Sequence, residues 1–222
     1  MTKRQNGAGW NANKAVGQME PFTLADIKWL CRYFAKQENW HDLCLVSAAT
    51  DSWLRASDLL KLKVKDVTYK DGTVRRKWKR QQQKSGRGVY PVLSEQTRSY
   101  VAHWIKVSGK GSEDYLFTRT KAKDAKPISR AWYAILIKRW AELCGYQPED
   151  FSTHSLRRTK PIYQYEQGEK VAGISKMLGH KSEASTLEYL GINQRQAEEA
   201  SLRHQMIPDG LLPKDNGKQR LK

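Results

Sequence analysis

Apolar residues recur at helical spacing in several separate stretches of the chain, and at strand-like spacing in one. Thr23, with Asp26 three residues on, opens a helix whose Ile27, Leu30, Cys31 and Phe34 share a face. A second helix is predicted over about His41–Thr50 and a third from near Ala56. Val64–Val67, Val74–Gln81 and Arg87–Leu93 read as short strands, with hairpin turns at Asp71-Gly72 and at Lys84-Ser85-Gly86. Ser94 and Thr97 open a helix that runs to about Val107, before Gly109-Lys110-Gly111-Ser112 breaks the chain. From Ser129 to Gly145, Trp132, Leu136, Trp140 and Leu143 form one helical stripe, and Gly145 is a natural stop. Further helices fit Ser155–Gln167, Lys170–Leu178, Ser182–Tyr189 and Gln194–His204. The pattern predicts a mixed α/β, mainly helical fold with a small three-stranded antiparallel sheet inserted early. No internal repeat is visible.

A chain of 222 residues is long enough for one domain with a sizeable core. Residues 1–20, rich in Gly, Asn and Gln, are expected to be a flexible segment, 21–207 the folded unit, and 208–222 a basic tail with little to bury. No run of 18 apolar residues is present, so no membrane span is expected. Met1-Thr2-Lys3-Arg4 lacks the apolar stretch of a signal peptide, and three cysteines (Cys31, Cys44, Cys144) cannot all pair. These features point to a reduced, cytoplasmic protein.

Charge narrows the choice of partner. Against 23 Asp+Glu stand 40 Lys+Arg, a net +17, which favours a polyanion and above all nucleic acid. The stretch Lys61–Tyr90 holds eleven of the cations and two Asp, yet it is interleaved with Val64, Val67, Val74, Trp78 and Val89, so it reads as a folded basic sheet. Charge alone leaves repressor, nuclease, recombinase and RNA-binding protein open.

Carboxylates are scattered, without the clusters that hold catalytic divalent cations, and the glycine-rich break at 109–112 lacks phosphate-loop spacing. The five histidines have no paired spacing for zinc. No metal and no cofactor is therefore expected. An enzyme acting on DNA with this residue set needs a side-chain nucleophile and side-chain cations around the phosphorus. Candidates occur in order: Arg55 with Asp58, Lys84 on a turn, His154-x-x-Arg157, Leu178-Gly179-His180, and Tyr189.

In that order and spacing, LRASDLLKLKVKDV, HSLRRT and LGHKSEASTLEY resemble the tyrosine recombinase (phage integrase) family, over about Pro21 to Gln205. The resemblance implies the family's catalytic-domain fold and a 3′-phosphotyrosine mechanism that breaks and rejoins DNA without ATP. It makes Arg55 and Arg157 the phosphate clamp, Lys84 the general acid and His154 a general base. His180 becomes a hydrogen-bond donor to the phosphate, Tyr189 the nucleophile and Asp58 a support for the clamp. It also implies double-stranded DNA as substrate, and a homo-oligomer, tetrameric in the synaptic complex. Arg76, Lys79, Arg80 and Arg87 of the basic sheet, with Ser129 and Arg130 at a helix start, are the expected DNA contacts. Trp78 offers either a stacking platform or packing.

Two departures stand out. Trp53-Leu54-Arg55 replaces the family's frequent Gly-Leu-Arg. Only some twenty residues precede Thr23, where the family usually has a core-binding domain, so a catalytic-domain-only member is expected, with a possible accessory DNA-binding protein. Two other readings remain open at this stage. Val171–Leu190 also reads as a helix-turn-helix of a non-catalytic regulator, and a type IB topoisomerase-like enzyme would share the tyrosine chemistry.

Overall fold

The structure is a computed structural model that describes residues 19–119, 126–191 and 201. Helix α1 (Leu24–Lys36) starts as expected: Thr23 Oγ1 accepts from the Asp26 N–H at 3.1 Å, and Asp26 Oδ2 accepts from the Thr23 N–H at 2.7 Å. Helix α2 (Trp40–Ser52) is apolar on all sides and buried from Leu43 to Ala49, which makes it the central element. It packs against α1, α5 (Glu95–Ser108) and α7 (Ser155–Glu166). Between α2 and α5 lie two single-turn helices, α3 (Ala56–Leu59) and α4 (Val64–Val67). The chain continues through α6 (Arg130–Leu143), a 3₁₀ turn at Pro148–Asp150, α8 (Val171–Leu178) and α9 (Glu183–Leu190).

The fold is mainly helical, as the periodicity predicts, but the sheet differs. Among the described residues it has two strands, not three: β1 (Arg80–Gln81) and β2 (Gly88–Val89), antiparallel, with Arg80 opposite Val89 and Gln81 opposite Gly88. Two causes are visible. Val64–Val67 is a helical turn, because Asp66 Oδ2 accepts from the Lys63 N–H at 3.0 Å and the i, i+3 valines both reach the core. Val74–Gln81 meets its neighbours mostly through isolated bridges, Thr68 to Val74 and Lys77 to Val92. Pro91 in the facing segment has no N–H to give to the ladder, and Arg75 spends its guanidinium on Thr68 O at 2.8 Å.

Two apolar clusters result. The larger gathers α1, α2, α5 and α6 around Leu45, Val101, Tyr133, Ile137 and Trp140, and it includes Trp78, which is 8 % exposed and so packs rather than offering a face for a base. The smaller holds Trp53, Ile174, Leu178 and Leu190, with Tyr189, Met177 and Tyr165 packed on it. Of the predicted helix Gln194–His204 only Ser201, helical, is described; residues 1–18 and the tail lie outside the described residues.

Candidate active site

Arg55 stands at the start of α3, immediately after a chain reversal at the end of α2. The reversal is made by Trp53, whose backbone is left-handed (φ 56°) while its indole is buried in the smaller cluster. An L-residue there is strained by about 1–2 kcal/mol, which burying a tryptophan outweighs. Asp58, one turn further on and without solvent exposure, accepts the Gln83 backbone N–H on Oδ1 at 3.0 Å. It therefore fastens the β1–β2 turn. Lys84 is exposed on that turn, which is closed by Gln82 N–H to Arg87 O at 2.8 Å and Gly86 N–H to Gln82 O at 2.9 Å.

On the opposite wall, His154 precedes α7 and Arg157 lies in its first turn, buried. Arg157 Nη2 donates to Leu178 O, the last carbonyl of α8, at 3.2 Å. The chain leaves α8 through Gly179 (φ 69°), where a Cβ would stand 2.6 Å from Val89 Cγ1. Only glycine fits so close to β2. His180 follows, its carbonyl accepting from Arg87 Nη1 at 2.9 Å and its Nδ1 3.1 Å from Thr186 Oγ1. Tyr189 on α9 meets the His180 ring edge-on, with centroids 5.1 Å apart. The guanidinium carbons of Arg157 and Arg158 lie 5.7 and 5.9 Å from the Tyr189 ring centre.

The electrostatics follow from this crowding of cations. Burial raises the pKa of the Tyr189 phenol, while Arg157, Arg158 and Arg55 pull it back down. His180 is lowered to about 4, first by burial and then by Arg157 and Arg55. His154, at the rim, is lowered by the protein packed against it and then by Arg157, Arg130, Arg55 and Lys84. Both imidazoles are thus neutral near pH 7. Burial lowers Arg157 as well, to about 10, so it stays cationic at neutral pH.

Arg55, Arg157, His154, His180 and Tyr189 are thus brought together, and Lys84 lies exposed on the turn that Gln82 and Asp58 tie to them. Of the other expected contacts, Arg76 and Lys79 are exposed, Arg80 is paired with Asp66 at 3.3 Å and Arg87 holds His180 O. Ser129 caps α6, its Oγ accepting from the Trp132 N–H at 3.1 Å, and Arg130 is exposed beside it. Sequence reasoning missed Gln82 and Arg158. Arg158, which donates to Met19 O, was in view within HSLRRT, but nothing distinguished it from its neighbour. No group of three or more His, Cys, Asp or Glu placed to hold a metal occurs among the described residues, and none of their helices is long and apolar enough to cross a membrane.

Comparison with known proteins gives a consistent picture. The model of the phage integrase family matches residues 21–196. A probable integrase/recombinase, YoeC of Bacillus subtilis (strain 168), is 28% identical over 163 residues, covering 73% of this chain and 84% of that protein. Tyrosine recombinase XerD of Rickettsia prowazekii (strain Madrid E) is 24% identical over 206 residues, 86% of this chain but 64% of the relative's length. The crystal structure of XerA recombinase superposes with a TM-score of 0.65 at 18% identity, over 89% of this chain and 68% of that one. At that identity the likeness concerns the fold.

Proposed function

The chain belongs to the phage integrase family, and from that membership we propose that it is a tyrosine-type site-specific recombinase of double-stranded DNA. The observation that carries the reading is the meeting of Arg157, His180 and Tyr189, within about one side chain of Arg55 and the Lys84 turn.

In the proposed step, Tyr189 Oη attacks the scissile phosphorus and the P–O5′ bond breaks, leaving a 3′-phosphotyrosine and a 5′-hydroxyl. His154, neutral because of its surroundings, takes the phenolic proton. Lys84 supplies the proton that the departing 5′-oxygen needs. Arg55 and Arg157 grip the non-bridging oxygens with planar forks, and His180 adds a hydrogen bond. The phosphotyrosine conserves the energy of the phosphodiester, so a 5′-hydroxyl from another duplex reverses the step and completes the exchange without ATP. Arg76, Lys79, Arg87, Ser129 and Arg130 serve the flanking backbone, and subunits pair on DNA, as a tetramer when two sites are held together.

The test is incubation with a nicked suicide duplex carrying candidate sites from the flanks of the coding sequence, followed by denaturing electrophoresis. Wild-type protein forms a covalent adduct; Tyr189→Phe binds but forms none. An adduct with the Phe variant moves the nucleophile elsewhere. A non-catalytic regulator forms no adduct at all, and a topoisomerase forms one yet relaxes supercoils without exchanging two sites.

A further inference from the structure

Gln82 is 1 % exposed, although it lies beside a solvent-facing turn and carries a fully polar side chain. Its amide joins three separate parts of the site. Oε1 accepts from Arg55 Nη1 and from Ser85 Oγ, the latter at 2.8 Å, and Nε2 donates to Leu178 O at 3.0 Å. The same Leu178 carbonyl accepts from Arg157. Gly179 leaves room for this arrangement: a Cβ there would come within 3.2 Å of Gln82 Nε2 and 3.3 Å of Oε1.

From this geometry we infer that Gln82 is a positioning residue that aims the Arg55 guanidinium toward the phosphate while leaving its charge uncancelled. The inference rests on the strand-cleavage reading above. The spot requires an acceptor for Arg55 and a donor for Leu178 O at once, which an amide provides and a carboxylate does not. A carboxylate would hold Arg55 more strongly, but as an ion pair it would compete with the incoming phosphate for the same fork. An amide orients the cation and remains neutral. Because Arg55 and the Ser85 hydroxyl share Oε1, the clamp and the Lys84 turn are also set relative to each other.

The experiment uses the full chain with Gln82→Glu, Gln82→Asn and Gln82→Ala, with Arg55→Ala as the reference. Three quantities are measured: single-turnover adduct formation on the suicide duplex, retention of that duplex, and melting temperature in inorganic phosphate against chloride at matched ionic strength. Gln82→Glu, which keeps a partner for Arg55 but loses the donor to Leu178 O, is expected to stay folded and melt no lower than Gln82→Ala, to retain the duplex, to lose the phosphate-specific stabilisation as Arg55→Ala does, and to form adduct at least about tenfold more slowly. A variant that is stable but slow separates positioning from folding. If Gln82→Glu cleaves and responds to phosphate like wild type, the inference is wrong. It is equally wrong if cleavage across the three variants simply follows melting temperature. Should wild type form no adduct, the cleavage reading fails by itself, and the phosphate response of Gln82→Glu still decides the role of Gln82. A poorly folding Gln82→Ala leaves that decision with the glutamate variant.

Discussion

The buried Asp58 carboxylate accepts the Gln83 backbone N–H at 3.0 Å and so ties the helix that begins at Arg55 to the turn that presents Lys84. Asp58→Ala removes that hydrogen bond and leaves the Gln83 N–H, on an exposed turn residue, to water, a loss of about 1 kcal/mol in denaturant unfolding. Cleavage should fall more than stability does, because the turn is freed. Replacing the bridging 5′-oxygen by sulfur gives a leaving group that needs no proton, so part of the lost rate should return on the 5′-thio duplex. No recovery there would mean that Asp58 acts elsewhere than through Lys84.

Lys84 and Arg157 should separate cleanly on the same pair of substrates. Lys84→Ala is expected to cripple cleavage of ordinary DNA and to be largely rescued by the 5′-thio leaving group. Arg157→Ala, acting on non-bridging oxygens, should lose a hundredfold or more, roughly, on both, and Arg157→Lys should recover little without the bidentate fork. Equal slowness of Lys84→Ala on both substrates would make Lys84 a DNA-binding residue, with Lys79 the next candidate for the proton donor.

Trp53→Gly restores the residue type that a left-handed backbone prefers, yet it should destabilise the protein. Relief of about 1–2 kcal/mol of backbone strain is outweighed by about 3–5 kcal/mol for a deleted buried aromatic ring. Because Tyr189 packs on the same cluster, adduct formation should fall with it. A melting temperature above wild type would show that the indole contributes less than its burial implies.

Stability should fall in two stages on acidification. His180, held at about 4 when folded against 6.5 in an ordinary histidine, refuses a proton that the unfolded chain accepts, so stability drops as pH falls from 6.5 towards 4. Asp51 acts lower. Burial raises its pKa, but hydrogen bonds from Lys160 (2.5 Å), Ser94 and Thr97 outweigh that and leave it below 3.8. The stabilisation it brings is present above 3.8 and is lost as pH falls through the lowered value. Equilibrium unfolding across pH should show the upper stage reduced in His180→Gln and the lower one in Asp51→Asn. An unchanged profile in both variants would contradict the assignment.

The candidate residues with charge or nucleophilic chemistry could be singled out because phosphoryl transfer needs those types, and their order along the chain is distinctive. The helices were legible through their apolar stripes and caps, Thr23 and Ser129 among them. The third strand was misread because Val64 and Val67 suit a core-facing turn as well as a strand, and because Pro91 breaks a ladder that periodicity alone cannot see broken. Gln82 had no signal. It is one of three successive glutamines, and its partners at Arg55 and Leu178 lie 27 and 96 positions away, so only the fold distinguishes it from Gln81 and Gln83.

The carbonyl of Leu178 closes α8, where the aligned peptide dipoles place about half a negative charge, and both Arg157 and the Gln82 amide that holds Arg55 converge on it. The helix end is a resident partial counterion for Arg157, and through the neutral Gln82 amide it also fixes where Arg55 stands. Their assembly is supported by the polypeptide and does not have to be driven by the arriving phosphodiester. Binding free energy from the DNA is then left to favour the five-coordinate phosphorus over the bound substrate, which is where it accelerates the reaction.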